Sequence, residues 1–264
     1  MHAKFLALAL SAASLLITQV HAQNAASAPS TAGSPNAASA VDPAAVQALT
    51  TMGSYLQSMK RFSVSTELTG ERVLQDGQKL QHTATAHLDV DRPQAIRAVM
   101  QSARTKRELF YNGETVSLYF PAQNYYSTVP FAGDLASLVE QLRIRFGIEI
   151  PLADLFIWGT PNAPTEQFQS AMYAGQDFVG ADICDHYAFR QKGVDWQVWI
   201  MAGAKPLPRK LVITRLDDDA RPQSTSTINW ATKPAFMRTV FTFKPPASAK
   251  KVDIVPVAAG KEYS

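Results

Sequence analysis

Three side chains that can bind metals or take part in catalysis stand at alternate positions near residue 184. They are Asp182, Cys184 and His186, and alternate side chains of a β-strand project to the same face. A carboxylate, a thiol and an imidazole can all be ligands of a zinc ion. A neighbouring imidazole can also lower the pKa of a thiol and activate it. The spacing therefore allows a metal site or an activated thiol.

The same spacing also limits this chemistry. Same-face neighbours on a strand lie roughly 6.6 Å apart, which is long for two ligands of one ion. Tyr187 and Phe189 would anchor the opposite face of this strand in the core. An ordinary structural strand is therefore the preferred interpretation, and a thiol- or metal-dependent activity at Cys184 and His186 is the third of three functional hypotheses.

Other polar residues give weaker signals. His82 lies on the apolar face of its predicted strand, which indicates a buried, hydrogen-bonded histidine rather than a catalytic one. Three aspartates at positions 217–219 lack the alternating acids, central glycine and final glutamate of a calcium loop. The basic run at 104–107 is typical of a solvated strand end.

Sequence motifs of the common catalytic classes are absent. The chain contains no G-x-S-x-G, H-E-x-x-H, G-x-x-x-x-G-K or G-x-G-x-x-G sequence. Its 25 Lys and Arg nearly balance 22 Asp and Glu, without the concentrated basic face that nucleic acid requires. We expect a protein that is not an enzyme, needs no cofactor and binds no nucleic acid; a distant carboxylate pair would leave no local signature.

The N-terminus has the features of a secretory signal peptide. Lys4 precedes a mostly apolar stretch at 5–20, and Val20-His21-Ala22 has a small-x-small pattern. The stretch is too short and too rich in Ala and Ser to span a bilayer. We therefore predict that residues 1–22 are removed during export to the periplasm, and that the protein does not span the membrane.

The rest of the chain divides into a linker and one domain. Residues 23–41 are Ala, Ser, Pro, Asn, Gly, Thr, Gln and Val without charge, a composition typical of a flexible segment. Residues 42–264 are predicted to form one β-rich domain. The single cysteine excludes an internal disulfide.

Apolar periodicity predicts the order of elements in this domain. Helical spacing covers 43–60, 134–146 and 151–158, and hairpin signals stand at Asp76-Gly77 and Asn112-Gly113. Alternating patterns predict strands on both sides of the helical insert, ending with an extended segment at 239–243. The predicted fold class is α+β, mainly antiparallel β, with a curved half-barrel sheet of about 11 strands and helices packed in its concave face.

Three sequence blocks resemble known proteins. They span residues 184–190, 194–200 and 206–214 and are similar to a family of predicted periplasmic proteins with no established activity. More distantly, the layout resembles the LolA and LppX lipoprotein-carrier superfamily. This resemblance implies an open half-barrel, closed by helices around an apolar cavity that holds lipid.

Aromatic residues suggest where such a cavity would lie. The strand around Trp196 and Trp199 is apolar on both faces, so it is either covered on both sides or lines a cavity. We predict a carrier or binding protein for an apolar ligand such as a lipid, an acyl chain or a lipoprotein tail. The alternative is an envelope protein-interaction or scaffold module. The predicted ligand-binding residues are Leu135, Leu138, Leu142, Phe156, Trp158, Trp196 and Val198.

Overall fold

The computed structural model describes residues 40–163 and 165–256. The predicted signal peptide and all but the last two residues of the predicted linker lie outside this part of the chain. The described residues contain two α-helices, α1 (Pro43–Ser58) and α2 (Leu135–Phe146). Their 12 strands are β1 (Arg61–Val73), β2 (Lys79–Asp91), β3 (Ala95–Gln101), β4 (Lys106–Tyr111), β5 (Thr115–Phe120), β6 (Tyr125–Pro130), β7 (Ser170–Val179), β8 (Asp182–Gln191), β9 (Val194–Met201), β10 (Pro208–Arg215), β11 (Gln223–Ala231) and β12 (Lys250–Lys251).

All of these strands belong to one open, curved sheet. Their order is β12-β6-β5-β4-β3-β2-β1-β11-β10-β9-β8-β7. Neighbouring strands run antiparallel except β12, which runs parallel to β6. The predicted α+β class is confirmed, with 12 described strands rather than about 11.

Local sequence explains where both helices begin and where α2 ends. The Asp42 side chain accepts a hydrogen bond from the backbone N–H of Ala44 at 2.8 Å, with Pro43 as the first helical residue. Asp134 caps α2 in the same way, accepting from Ser137 N–H at 2.8 Å. The left-handed Gly147 ends α2.

The core lies between these helices and the concave face of the sheet. α1 buries Leu49, Met52 and Leu56 against Phe62 and Leu88, which belong to β1 and β2. α2 and the segment after it complete the same cluster. Burial of each large apolar side chain stabilises the fold by about 1.5–3 kcal/mol, so this cover holds the helices on the sheet.

Two predicted elements differ from the structure. The predicted helix at 151–158 is a short 3₁₀ turn, Ala153–Phe156, and the predicted extended segment at 239–243 contains a 3₁₀ turn, Arg238–Phe241. The chain beyond that second turn packs on the convex face, where the Phe243 ring lies 5.2 Å from the Phe110 ring. Aromatic packing on the sheet therefore replaces the predicted strand pairing.

The expectation of a buried His82 is wrong. His82 has the same strand parity as the buried Leu88, but it is exposed. Its neighbour on that face, Leu80, is also 38% exposed. The helices do not extend to this end of the β1–β2 hairpin. Side chains there can therefore lie on the concave face and still be exposed.

The described chain begins at Ala40, two residues before the predicted domain boundary. Ala40 O accepts a hydrogen bond from Ala171 N–H at 3.0 Å, and Asp42 N–H donates to Ala171 O at 2.9 Å. The end of the predicted linker therefore pairs with the edge strand β7. Among the described residues, no helix combines the length and hydropathy needed to cross a bilayer.

A close backbone contact joins α1 to the segment after the first 3₁₀ turn. A Cβ added at Gly53 would lie 2.5 Å from Gly159 N. Gly159 also has a φ of +80°, a conformation that favours glycine. The Gln57 side-chain amide donates to Trp158 O at 2.6 Å beside this contact. The contact holds the 3₁₀ segment against α1 and the concave face.

We expect Gly53→Ala to lower the free energy of unfolding by about 1–3 kcal/mol, because the added methyl overpacks this contact. Urea unfolding followed by circular dichroism measures the change. Gly70→Ala in β1 is the matched control, since a Cβ there meets no atom within 4 Å. Equal stability of the two variants would contradict the proposed contact.

Candidate functional site

The Asp182, Cys184 and His186 side chains do share one face of β8, the convex face. Asp182 forms an ion pair with Arg209. The Cys184 side chain is fully buried, and its Sγ lies 3.8 Å from Asp182 O. Burial raises the pKa of the Cys184 thiol, and the nearby Arg209 charge opposes this only partly. The thiol is therefore protonated and covered rather than activated.

His186 is held by structural contacts. Its ring stacks on Trp199 at a centroid distance of 4.0 Å. Its Nε2 lies 2.9 Å from Gln197 Oε1, and its Nδ1 lies 3.6 Å from an Asp177 carboxylate oxygen. Among the described residues, no cluster of His, Cys, Asp and Glu has the arrangement of a metal site. Asp182, Cys184 and His186 therefore share one face because they pack together with their neighbours on the convex side of the sheet.

The strand β9 is apolar on both faces because both faces are covered. Trp196 and Val198 belong to the main core, and Trp199 packs with Cys184 and Val212 in the convex cluster. The first of the two explanations for its composition, cover on both sides, therefore holds for Trp199. The concave face also borders the cavities described next.

A cavity of about 400 Å³ opens on the concave side, between the sheet, α2 and the segment that follows α2. Leu68, Met100, Leu211 and Ile213 line it from three strands, β1, β3 and β10. The opposite wall includes Val139, Ile148, Ile150 and Leu152. It lies toward the end of the concave face where the helices give no cover. A mostly apolar concavity of this size is typical of a small-molecule site.

A smaller apolar pocket of about 30 Å³ lies further inside. Met52, Leu155, Trp158, Trp196 and Val198 contribute to its walls. The two spaces share Leu152, Asp154 and Leu211 as lining residues. The small pocket is therefore next to the inner end of the larger cavity.

Four charged side chains also line the larger cavity: Arg107, Arg143, Glu149 and Asp154. Arg107 donates from Nη2 to Glu149 O at 2.9 Å and lies 3.2 Å from Met100 Sδ. Loss of solvation lowers the pKa of Arg107, while the Glu149 charge opposes that shift. The cavity thus combines an apolar wall with partly desolvated charges.

Asp154 marks the junction of the two spaces. It is open to the solvent of the cavity, yet protein atoms surround its carboxyl. This loss of bulk solvation raises the pKa of Asp154, and the negative charge of Glu149 raises it further. No ion pair to Asp154 occurs among the described residues. An apolar ligand in the cavity would therefore contact a carboxyl whose pKa lies above its usual value.

A family model described as "Predicted periplasmic protein (DUF2092)" matches residues 45–255. The chain belongs to this DUF2092 family. The match confirms the resemblance in sequence and the periplasmic localisation that the N-terminus predicts. A comparison of this DUF2092 protein with curated protein sequences finds no match.

Solved structures with a similar layout include lipoprotein LppX from Mycobacterium tuberculosis, at 13% identity and a TM-score of 0.48 over 74% of this chain and 98% of that one. LprF from Mycobacterium bovis has 14% identity and a TM-score of 0.43, over 80% and 99%. A LolA superfamily protein from Nitrosomonas europaea has 8% identity and a TM-score of 0.32, over 75% and 97%. All three TM-scores are below 0.5. The function of the DUF2092 protein is therefore inferred from its own residues and not from these structures.

The seven predicted ligand-binding residues occupy two different environments. Trp158, Trp196 and Val198 line the inner pocket. The other four are buried in the helix–sheet core and line neither cavity: Leu135, Leu138, Leu142 and Phe156. Contact between any of the seven and a ligand stays a prediction.

Sequence reasoning missed the charged wall of the cavity. Arg107 belongs to the basic run that was expected to be solvated, but it is half-buried and faces the cavity. Its parity with Leu109 and Tyr111, both buried in β4, was the available signal. Glu149 lies outside the predicted elements and Asp154 in the predicted helix at 151–158, and only the tertiary structure places both in one cavity with Arg107.

We expect Cys184 in the native protein to react with a thiol reagent at least about 100-fold more slowly than in concentrated guanidinium chloride, because burial keeps the thiol covered and protonated. Absorbance of the released chromophore measures the rate. The control is the thiol introduced by Thr83→Cys, at an exposed position of β2, in a Cys184→Ser background. Native labelling of Cys184 as fast as this surface thiol would support the activated-thiol hypothesis instead.

Proposed function

We propose that this periplasmic protein is a non-catalytic carrier or binding protein for an apolar chain, such as the acyl chain of a lipid or lipoprotein. One observation supports this most directly: a mainly apolar cavity of about 400 Å³ lies in the concave face, beside the helical cover. The cavity walls expose Leu, Ile, Met and Val side chains that water solvates poorly.

The energetics suit reversible binding of an alkyl chain. Each methylene group that moves from water into an apolar site contributes about 0.8 kcal/mol. Several methylenes therefore offset the cost of association, while the open mouth of the cavity permits release. A carrier in an aqueous compartment needs both properties, because its ligand is poorly soluble and has to be delivered.

The convex cluster gives no comparable support for an enzyme. Cys184 is covered, and its pKa is raised by burial. His186 is engaged by Trp199 and Gln197. The cavity therefore supports binding more than the thiol supports catalysis.

Isothermal titration calorimetry with n-octanol and n-decanol tests the proposed function. We expect both alcohols to bind with one site, decanol about tenfold or more tighter, because two additional methylenes are buried. Leu211→Trp should fill the cavity and weaken decanol binding at least about tenfold. Leu80→Trp is the control, since Leu80 is partly exposed and does not line the cavity.

Unchanged binding in Leu211→Trp would place the alcohol elsewhere. If neither alcohol binds and crosslinking in cells captures a stoichiometric protein partner, the envelope-scaffold alternative is favoured instead.

We expect decanol affinity to rise as the pH falls through the range in which Asp154 titrates. The bound chain excludes water from the carboxyl and disfavours its charged form, so the pKa of Asp154 is higher in the complex than in the free protein. Binding is then coupled to proton uptake and strengthens at lower pH. Calorimetry in two buffers of different ionisation enthalpy measures that uptake.

In Asp154→Asn, decanol affinity should be independent of pH over this range. It should be at least as high as the affinity of the original protein at the lowest pH of the range. Asp219→Asn, at an exposed turn, should leave the pH dependence unchanged. A pH dependence that survives in Asp154→Asn would show that another group is responsible.

A further inference from the structure

The two arginines of the cavity, Arg107 and Arg143, lie away from its inner end. Arg107 and Arg143 line the large cavity but not the inner pocket, whereas Asp154 lines both. Arg107 comes from the sheet and Arg143 from α2. The two guanidinium groups therefore belong to different walls of the larger space, away from its apolar inner end.

Arg107 has unused capacity to bind an anion. It is half-buried, and its described contacts are a backbone carbonyl of Glu149 and the sulfur of Met100. Arg97 on the next strand shows the contrasting case, because its guanidinium pairs with Glu108 at 2.9 Å. No such carboxylate partner of Arg107 is found in the part of the chain that the structure describes. A partly desolvated cation that forms no direct ion pair gains from an anionic ligand.

Arg143 can also bind an anion, because little free energy is lost when it leaves its present partner. It pairs with Glu140 at 3.1 Å, but the two side chains are 60% and 44% exposed. Exposed pairs of this kind contribute only about 0–1 kcal/mol. An anion at the cavity can therefore replace Glu140 as a partner, and the planar guanidinium fork suits a carboxylate or a phosphate.

The carboxyl groups of the cavity set the direction of such a ligand. Asp154 stands at the inner end and opposes an anionic group there, while in its protonated form it tolerates an apolar chain. Glu149 lines the cavity beside Arg107 and offsets part of its charge. The apolar tail is therefore best placed toward Trp158 and Trp196, with the charged group at the arginines.

From this arrangement we propose that the ligand is an anionic amphiphile, whose carboxylate or phosphate head group binds Arg107 and Arg143 while its alkyl tail extends toward the inner pocket. The inference rests on the proposed function, because it requires the same cavity. It adds a charge requirement that an apolar cavity alone does not have.

The test compares four ligands with the same ten-carbon chain by calorimetry at neutral pH: decanoate, decyl phosphate, decanol and decylammonium. We expect the original protein to bind at least one anion tenfold or more tightly than decanol, and decylammonium more weakly than decanol. The two anions distinguish a carboxylate head group from a phosphate. The preference should weaken in high salt, as screening predicts.

Arg107→Gln combined with Arg143→Gln should reduce the ratio of anion to decanol affinity to about one. Arg143→Gln alone, at an exposed site, should reduce the ratio partly and serves if the double variant is poorly folded. Arg145→Gln is the control. It lies in the same last turn of α2, its guanidinium lies over the Phe146 ring at 5.4 Å, and it does not line the cavity.

The outcomes separate this inference from the proposed function. Decanol binding without any preference for an anion overturns the head-group inference and leaves the apolar-ligand proposal standing. Tightest binding of decylammonium also overturns it, because Glu149 and Asp154 would then dominate. Failure of all four ligands to bind overturns both.

Discussion

The concave face of this antiparallel sheet carries apolar side chains, which have to be covered from water. Most of the structure follows from how the helices cover them. α1, α2 and the 3₁₀ turn at Ala153–Phe156 bury Phe62, Leu88 and their neighbours. The cover stops short of the far end of the β1–β2 hairpin, where Leu80 and His82 are exposed. The cavity of about 400 Å³ lies toward that uncovered end, so this space results from incomplete cover of a continuous apolar face.

Polar side chains on the convex face of the sheet and polar side chains in the concave cavity differ in their pairing. On the convex face, polar side chains are paired: Ser63 donates to Asp89 at 2.6 Å, and Arg97 pairs with Glu108 at 2.9 Å. In the cavity, Arg107 and Asp154 are partly desolvated, and neither has a described ion-pair partner. Groups left in this state cost stability. Arg107 and Asp154 line the same cavity.

Prediction from the sequence succeeded for the fold, whereas contact of the predicted site residues with a ligand stays a prediction. Alternation and turn residues indicated the hairpins, and helical spacing with Asp42 and Asp134 indicated both helices. Periodicity reports which face of an element a residue occupies, and it does not report what lies opposite. For this reason Leu138 and Leu142, chosen as cavity residues, are core residues, whereas Trp196 lines the inner pocket.

By itself, the sequence indicated the order of most elements, the antiparallel pairing and the apolar parity of the strands, because all of these depend on local pattern. Only the tertiary structure decided which apolar side chains stay uncovered, and it brought Arg107, Arg143 and Asp154 to one cavity from a strand, a helix and a 3₁₀ turn. It also paired Asp182 with Arg209 and covered Cys184. Burial and charge pairing depend on long-range contacts, which a local pattern does not contain.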